Sequence, residues 1–390
     1  MWSIAAIPRA EDVDSGSYRL MARGEPACRP YANRILHPAL AGLLGYGAEK
    51  KRTIGQDDKT TMGQENQFHI IAIISSIVFY LSVLSLLRDV RPRWLVFVLL
   101  ISPLWWVWGG NIYIQDMFAA ALTALLLLLL RSLDQRTAPN QSPISNPWFS
   151  IPLILFLLQL TRESTTLLSL ALIVLALWHR RWWLAMGAFV AMAAGMAVVA
   201  WASRDALPGA NGLDGGVYLV AKAIANGVRN FTGVIPWNDG YAARLPWYYP
   251  DPPAWKCTLP TFLQMGNVHE VGIYKFMPGV VLRTFALWLL YFPGVILLLP
   301  KCASRTRGQE DEGTSERTAQ KFSIRRSPFY VQYSFVIGLA FWLLAPFSGA
   351  SLERLVGYAW PLFWVALPMS FIYNQPQRRQ LKCKKEEQET

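Results

Sequence analysis

Apolar residues run along this chain in long blocks, and polar residues collect in the connections between them. The blocks fall near 68–87, 94–108, 114–130, 149–160, 164–178, 184–201, 276–299, 329–347 and 358–373. About 20 apolar residues are needed for a helix to cross a hydrocarbon core roughly 30 Å thick. Segments 68–87, 184–201, 276–299 and 329–347 meet or approach that length. The pieces 149–160 and 164–178 are shorter and are separated by "TRES", so they read as two short crossings or as a re-entrant hairpin. Leu, Ile and Val dominate, and nothing alternates with the period of two that a barrel strand requires. No internal repeat of fixed period is visible. The pattern predicts an all-α, polytopic transmembrane helical protein with about nine membrane segments.

Composition strengthens that reading. Of 390 residues, 53% are hydrophobic and only 16% charged, and 17 are Trp, which excludes an ordinary soluble domain of this size. The net charge of +12 is distributed by loop. One set of connections carries "RDVRPR" (88–93), Arg131, Arg136, "HRR" (179–181), the run 300–328 and the tail "RRQLKCKK" (378–385). The alternate connections, "GGNIY", "TRES" and "SGASLERLVGY", hold almost no basic residues. Placing the basic set in the cytoplasm makes the alternation consistent through every segment. The positive charge therefore reads as membrane topology, and no nucleic-acid partner is expected.

The expected organisation is an outer first loop with an interfacial helix (1–67), transmembrane helices (68–201), an outer loop (202–275), a transmembrane helix (276–299), a cytoplasmic linker (300–328), transmembrane helices (329–373) and a cytoplasmic basic tail (374–390). An exported N-terminus needs something to carry it, and "MWSIAAIP" is too short for a signal peptide or a span. A first transmembrane helix ahead of Met1 is therefore expected. The segment "RILHPALAGLL" places Ile35, Leu36, Ala39, Leu40, Leu43 and Leu44 at helical spacing beside Arg34 and His37, as in a helix lying along the interface.

Ionisable groups inside or at the mouth of membrane segments are costly unless paired or placed beside water. Asp116 opens a Leu-rich helix at its outer end, where it can contact a sugar or a metal, or cap the helix. Arg162 and Glu163 interrupt two apolar pieces, where they either pair with each other or line a cavity. Arg283 lies roughly 10 Å below the outer end of its segment, placed for a lipid phosphate or for a helix–helix pair. Glu353 and Arg354 stand on the outer loop before the last span, with Arg354 a second phosphate candidate. The aromatic and Pro/Gly-rich loop 202–275, with Asp239, Trp247, Tyr248, Tyr249 and Asp251, suits either an acceptor site or an interfacial aromatic belt.

Several short stretches resemble the C-type (GT-C) superfamily of polytopic membrane glycosyltransferases, including bacterial mannosyltransferase-like members. They are Asp14-Ser15-Gly16-Ser17-Tyr18 with Ala22 and Gly24, "PYANRILHPALAGLL" (30–44), "QDMFAAALTALLLLLLR" (115–131), "LTRESTTLLSLAL" (160–172) and "GASLERLVGYAWPLF" (349–363). The resemblance implies a polyprenyl-phosphate-linked sugar donor, an acidic first outer loop held by interfacial helices, and an active face outside a bacterial plasma membrane. A lipid phosphate is already a good leaving group, so the chemistry calls for a base to take the acceptor proton and cations to hold the phosphate. Asp14 is the first choice of base and Asp12 the second; both can equally be solvating groups of a loop. Arg34 can face lipid phosphate or belong to a packing helix.

No Walker A sequence, GxSxG elbow, CxxC or HExxH occurs. No ligand cluster calls for a metal or other cofactor, although outer carboxylates are compatible with a divalent ion. Cys28 and Cys257 fall outside, Cys302 and Cys383 inside, and spacing supports no disulfide. The expected partners are a lipid-linked sugar donor and membrane lipids. Rival functions are a transporter or flippase, a polymerase or ligase of lipid-linked sugars, and an inactive relative.

Overall fold

The computed structural model describes residues 13–25, 27, 33–45, 66–88, 115–135, 147–204, 206, 223–224, 227–228, 230–237, 273–276, 278–291, 327–347, 355, 358–363 and 365–366. Its helices are α1 (Val13–Ala22), α2 (Leu36–Leu43), α3 (Asn66–Leu86), α4 (Asp116–Gln135), α5 (Pro147–Thr161), α6 (Thr166–Trp178), α7 (Trp182–Ala202), α8 (Pro278–Leu290) and α9 (Phe329–Leu344). A 3-10 turn at Glu163–Thr165 joins α5 to α6, and another at Ala345–Phe347 extends α9. Two strands, β1 (Val234–Trp237) and β2 (Ile273–Phe276), pair antiparallel with Val234 opposite Phe276.

Among the described residues, four stretches are long and apolar enough to cross a membrane: Gln67–Leu86, Asp116–Gln135, Trp182–Ala202 and Phe329–Phe347. Three of them match the expected full-length segments. The fourth, α4, extends past the block 114–130 because Arg131 does not end it. Arg131 instead donates from Nη1 to the carbonyls of Ser85 and Leu86, at 2.9 Å each, and remains inside the bundle. In the block 276–299 the described helix is the shorter Pro278–Leu290, and residues 292–299 lie outside the described residues. The segment 94–108 also lies outside them, as does most of 358–373 beyond the helical residues 358–363 and 365–366.

A short strand pair accompanies the helices, and the described fold remains helical in class. β1 and β2 are four residues each, too short to register as alternation, and consist mainly of β-branched and aromatic residues, each strand preceded by a glycine. Their pairing brings Trp237 opposite Ile273, and Phe276 belongs to the strand and not to the helix that follows.

Contacts fix the direction of each helix. His37 packs on both Phe68, near the start of α3, and Phe118, near the start of α4. Arg131 joins the far end of α4 to the far end of α3. The two helices are therefore parallel. Gly187 of α7 lies against Pro152 of α5, and Gly195 against Gln159, so these two are parallel as well. A Cβ at Gly195 would stand 2.6 Å from the Gln159 Cβ; small residues here allow close approach of two membrane helices. Between them α6 returns, ending in a tight turn. There Arg180 adopts φ 57°, and the Arg180 and Arg181 amides donate back to Leu177 and Ala176.

The α4 helix sits at the centre, 67% buried, whereas α7 at the periphery is 28% buried. Its Met186, Phe189, Val190 and Met196 face outward, as a lipid-facing surface does. Three hydroxyls within the spans donate to the preceding turn: Ser75 to Ile71, Ser76 to Ala72 and Thr123 to Ala119. The helices α1 and α2 lie over the end where α3 and α4 begin. They are locked by close approach, since a Cβ on Gly42 would be 2.6 Å from the Ala22 carbonyl oxygen.

Candidate functional site

The buried polar groups at the start of α4 come from four parts of the chain. Asp116 occupies the first turn of α4, where the unpaired helix amides favour a carboxylate. It is 1% exposed and forms an ion pair with Arg162, which stands just beyond the end of α5. The Tyr358 hydroxyl completes the cluster, donating to Asp116 Oδ1 at 2.6 Å and lying 3.1 Å from its carbonyl oxygen.

Arg162 reaches this position because the chain breaks between α5 and α6. The break frees carbonyls that a membrane cannot solvate. Thr165 Oγ1, 2.7 Å from the Leu158 carbonyl and 2.5 Å from that of Arg162, shares its proton between them. The Gln159 amide and Thr166 hydroxyl bridge the gap reciprocally, at 3.0 and 3.1 Å. Given the pairing of Gly195 with Gln159, Arg162 is level with residue 198 of α7, about 6 Å short of that helix's end at 1.5 Å per residue. The pair thus lies inside the end of the bundle, beneath α1 and α2.

His37 contributes from α2. It is 2% exposed, with its ring centroid 5.3 Å from Phe68 and 6.2 Å from Phe118. Burial lowers its pKa to about 4, partly countered by the charge of Asp116. Its Nδ1 has no hydrogen-bond partner. Gln115, 0% exposed and next to Asp116, has none for either amide atom.

The residues expected from sequence divide among several places. Asp116 and Arg162 come together, while Glu163 lies in the 3-10 turn beside them with its side chain outside the described residues. Arg34 is buried and donates from Nη1 to the Tyr18 hydroxyl at 2.7 Å, tying the approach to α2 onto α1. Arg283 is exposed on α8. Asp14 lies in α1, one turn before Tyr18, and its side chain is outside the described residues. Asp12, Glu353 and Arg354 lie outside them altogether, as do Asp239, Trp247, Tyr248, Tyr249 and Asp251. Among the described residues no three His, Cys, Asp or Glu side chains gather as metal ligands.

Sequence reasoning missed Gln115 and Tyr358. A carboxamide beside a carboxylate in an otherwise apolar stretch was a usable signal, since both groups are costly in a membrane. Tyr358, 242 residues from its partner, carried none. Comparison with known proteins finds no matching family model, no matching curated protein and no matching solved structure.

Proposed function

We propose that this protein is a membrane glycosyltransferase that moves a sugar from a polyprenyl-phosphate donor to an acceptor at the outer face of a bacterial plasma membrane. The GT-C-like fold with about nine spans belongs to the same proposal. The observation that supports it best is the stacking of α1 and α2 over a buried Asp116–Arg162–Tyr358 cluster at one end of an apolar bundle. In this reading the helix that carries Asp14 stands where a lipid head group and a water-borne acceptor meet.

In this mechanism the acceptor hydroxyl oxygen attacks the anomeric carbon as the bond from that carbon to the phosphate oxygen breaks. The lipid phosphate leaves with the electron pair, and Asp14 takes the hydroxyl proton. Arg283, exposed on α8, is the proposed phosphate ligand, with Arg354 the second. Arg34 and Arg162 already engage Tyr18 and Asp116, so their role here is to hold the site's shape.

The test is transfer by the full-length protein in membranes supplied with radiolabelled polyprenyl-phosphate sugars. Asp14→Asn is expected to lower turnover by on the order of 100-fold or more at unchanged protein level, while Asp12→Asn has a small effect. Equal, mild losses from both would remove the base and bring a transporter of lipid-linked sugars to the front.

A further inference from the structure

Within the cluster at the start of α4, charge is already matched and hydrogen bonding is not. Asp116 is engaged by Arg162 and Tyr358, so neither an incoming anion nor a cation meets an unmatched partner there. The buried groups left over there are neutral: the Gln115 Nε2 donor, the Gln115 Oε1 acceptor, the His37 Nδ1 and, next to Phe68, the Gln67 Oε1. His37 carries no charge at neutral pH, since its pKa lies at about 4. Gln115 immediately precedes Asp116, whose charge acts on the buried His37 ring, so both stand close to that carboxylate.

An orphaned buried amide group costs about 1–3 kcal/mol, and both ends of one carboxamide are orphaned together. A carboxamide presents a donor and an acceptor side by side, the pattern that adjacent hydroxyls of a sugar ring complement. A phosphate, an acceptor only at its ionised oxygens, cannot satisfy the Gln115 Oε1.

We propose that Gln115 and His37 are specificity-determining contacts that receive the hydroxyls of an uncharged sugar ring, beside the Asp116–Arg162 pair. This assignment rests on the glycosyltransferase reading for its substrate class, but it is tested by binding alone. The experiment is saturation-transfer NMR of methyl glycosides of glucose, mannose, galactose and arabinose with the full chain in lipid nanodiscs, alongside thermal unfolding. At least one glycoside is expected to show ring-proton transfer. Gln115→Met should weaken that glycoside at least about tenfold while the melting temperature holds or rises, because an unsatisfied amide is being removed.

His37→Leu should weaken the same glycoside, and it decides the matter if the Gln115 variant does not fold. A wild-type protein that binds none of the glycosides overturns the assignment. So does unchanged binding in the variants, or a Gln115→Met melting temperature that falls with binding intact, the behaviour of an amide held by buried water. Glycoside binding without any transfer would overturn the enzyme reading and leave this site standing.

Discussion

At one end of the bundle Arg131 and Asp134 hold helix termini; at the other, Asp116 and Arg162 hold each other. Arg131 donates to the last carbonyls of α3. Asp134 Oδ2 accepts from the Tyr330 amide, at 3.1 Å, in the first turn of α9. Its Oδ1 lies 2.8 Å from Arg181, in ion-pair contact but off the hydrogen-bonding direction. Arg181 in turn lies over the Phe329 ring, and His179 meets Gln332 at 2.9 Å. Polar side chains there cross from one element to the end of another, supplying partners that helix termini lack. At the Asp116 end the pair is more deeply buried, 1% and 12% exposed against 11% and 28%, and Gln115 and His37 stand beside it unsatisfied. The same two residue types thus clamp helix termini at one end of the bundle and pair with each other at the other, with buried polar atoms that make no hydrogen bond at both: Asp134 Oδ1 and Tyr330 Oη at the first, Gln115 and His37 Nδ1 at the second.

The largest test of this contrast breaks the buried pair. Asp116→Asn keeps a partner for Tyr358 but leaves the Arg162 guanidinium without its counter-charge, with an expected loss of about 3 kcal/mol in thermal or denaturant unfolding. The double variant Asp116→Asn with Arg162→Gln removes the stranded charge and should recover most of that stability. Transfer activity should fall about tenfold or more in both, since the sugar-side groups lose their positioning. Recovery of activity together with stability in the double variant would make the pair structural only, like that at the Arg131 end.

The contrast also explains what the sequence could reveal. Apolar block length identified α3, α7 and α9, because a membrane span is written in consecutive residues. Arg131 misled that reading: a charge looks like the end of a span until its partners, the Ser85 and Leu86 carbonyls, are known. Asp116 and Arg162 were each legible as costly intramembrane charges. Their pairing was not, because it depends on α5 ending beside the start of α4. The alternative pairing of Arg162 with its neighbour Glu163 was the one that sequence adjacency offered. The strands β1 and β2 stayed hidden because four residues give too little alternation to detect.

A second effect of comparable size is tied to pH. The folded-state pKa of His37 is about 4, below its ordinary value of 6.5. Between those values the unfolded chain binds the proton and the folded chain does not, so folding stability rises with pH across that window. Full stability is present above pH 6.5 and declines as pH falls toward 4, by roughly 3 kcal/mol in all. Melting curves between pH 7.5 and 4.5 should show this slope in the wild-type protein and a shallower one in His37→Leu. Identical slopes would mean that His37 is not buried as a neutral ring between Phe68 and Phe118.

The smallest effect belongs to the opposite end. Arg131→Met preserves length and apolar packing while removing both hydrogen bonds to the end of α3. Each net bond contributes about 1 kcal/mol, so a loss of about 1–2 kcal/mol in unfolding free energy is expected. Arg131→Lys should recover part of it, because an ammonium can still reach a carbonyl but lacks the planar fork. Transfer activity should stay within about twofold of wild type in both, since the length of α4 separates Arg131 from Asp116, about 22 Å over fifteen residues at 1.5 Å per residue. A turnover loss that tracked the stability loss in Arg131→Met would mean that the two ends move together. The Asp116 cluster would then depend on how α3 and α4 are clamped at their far ends, and the division between a closing end and a binding end would fail.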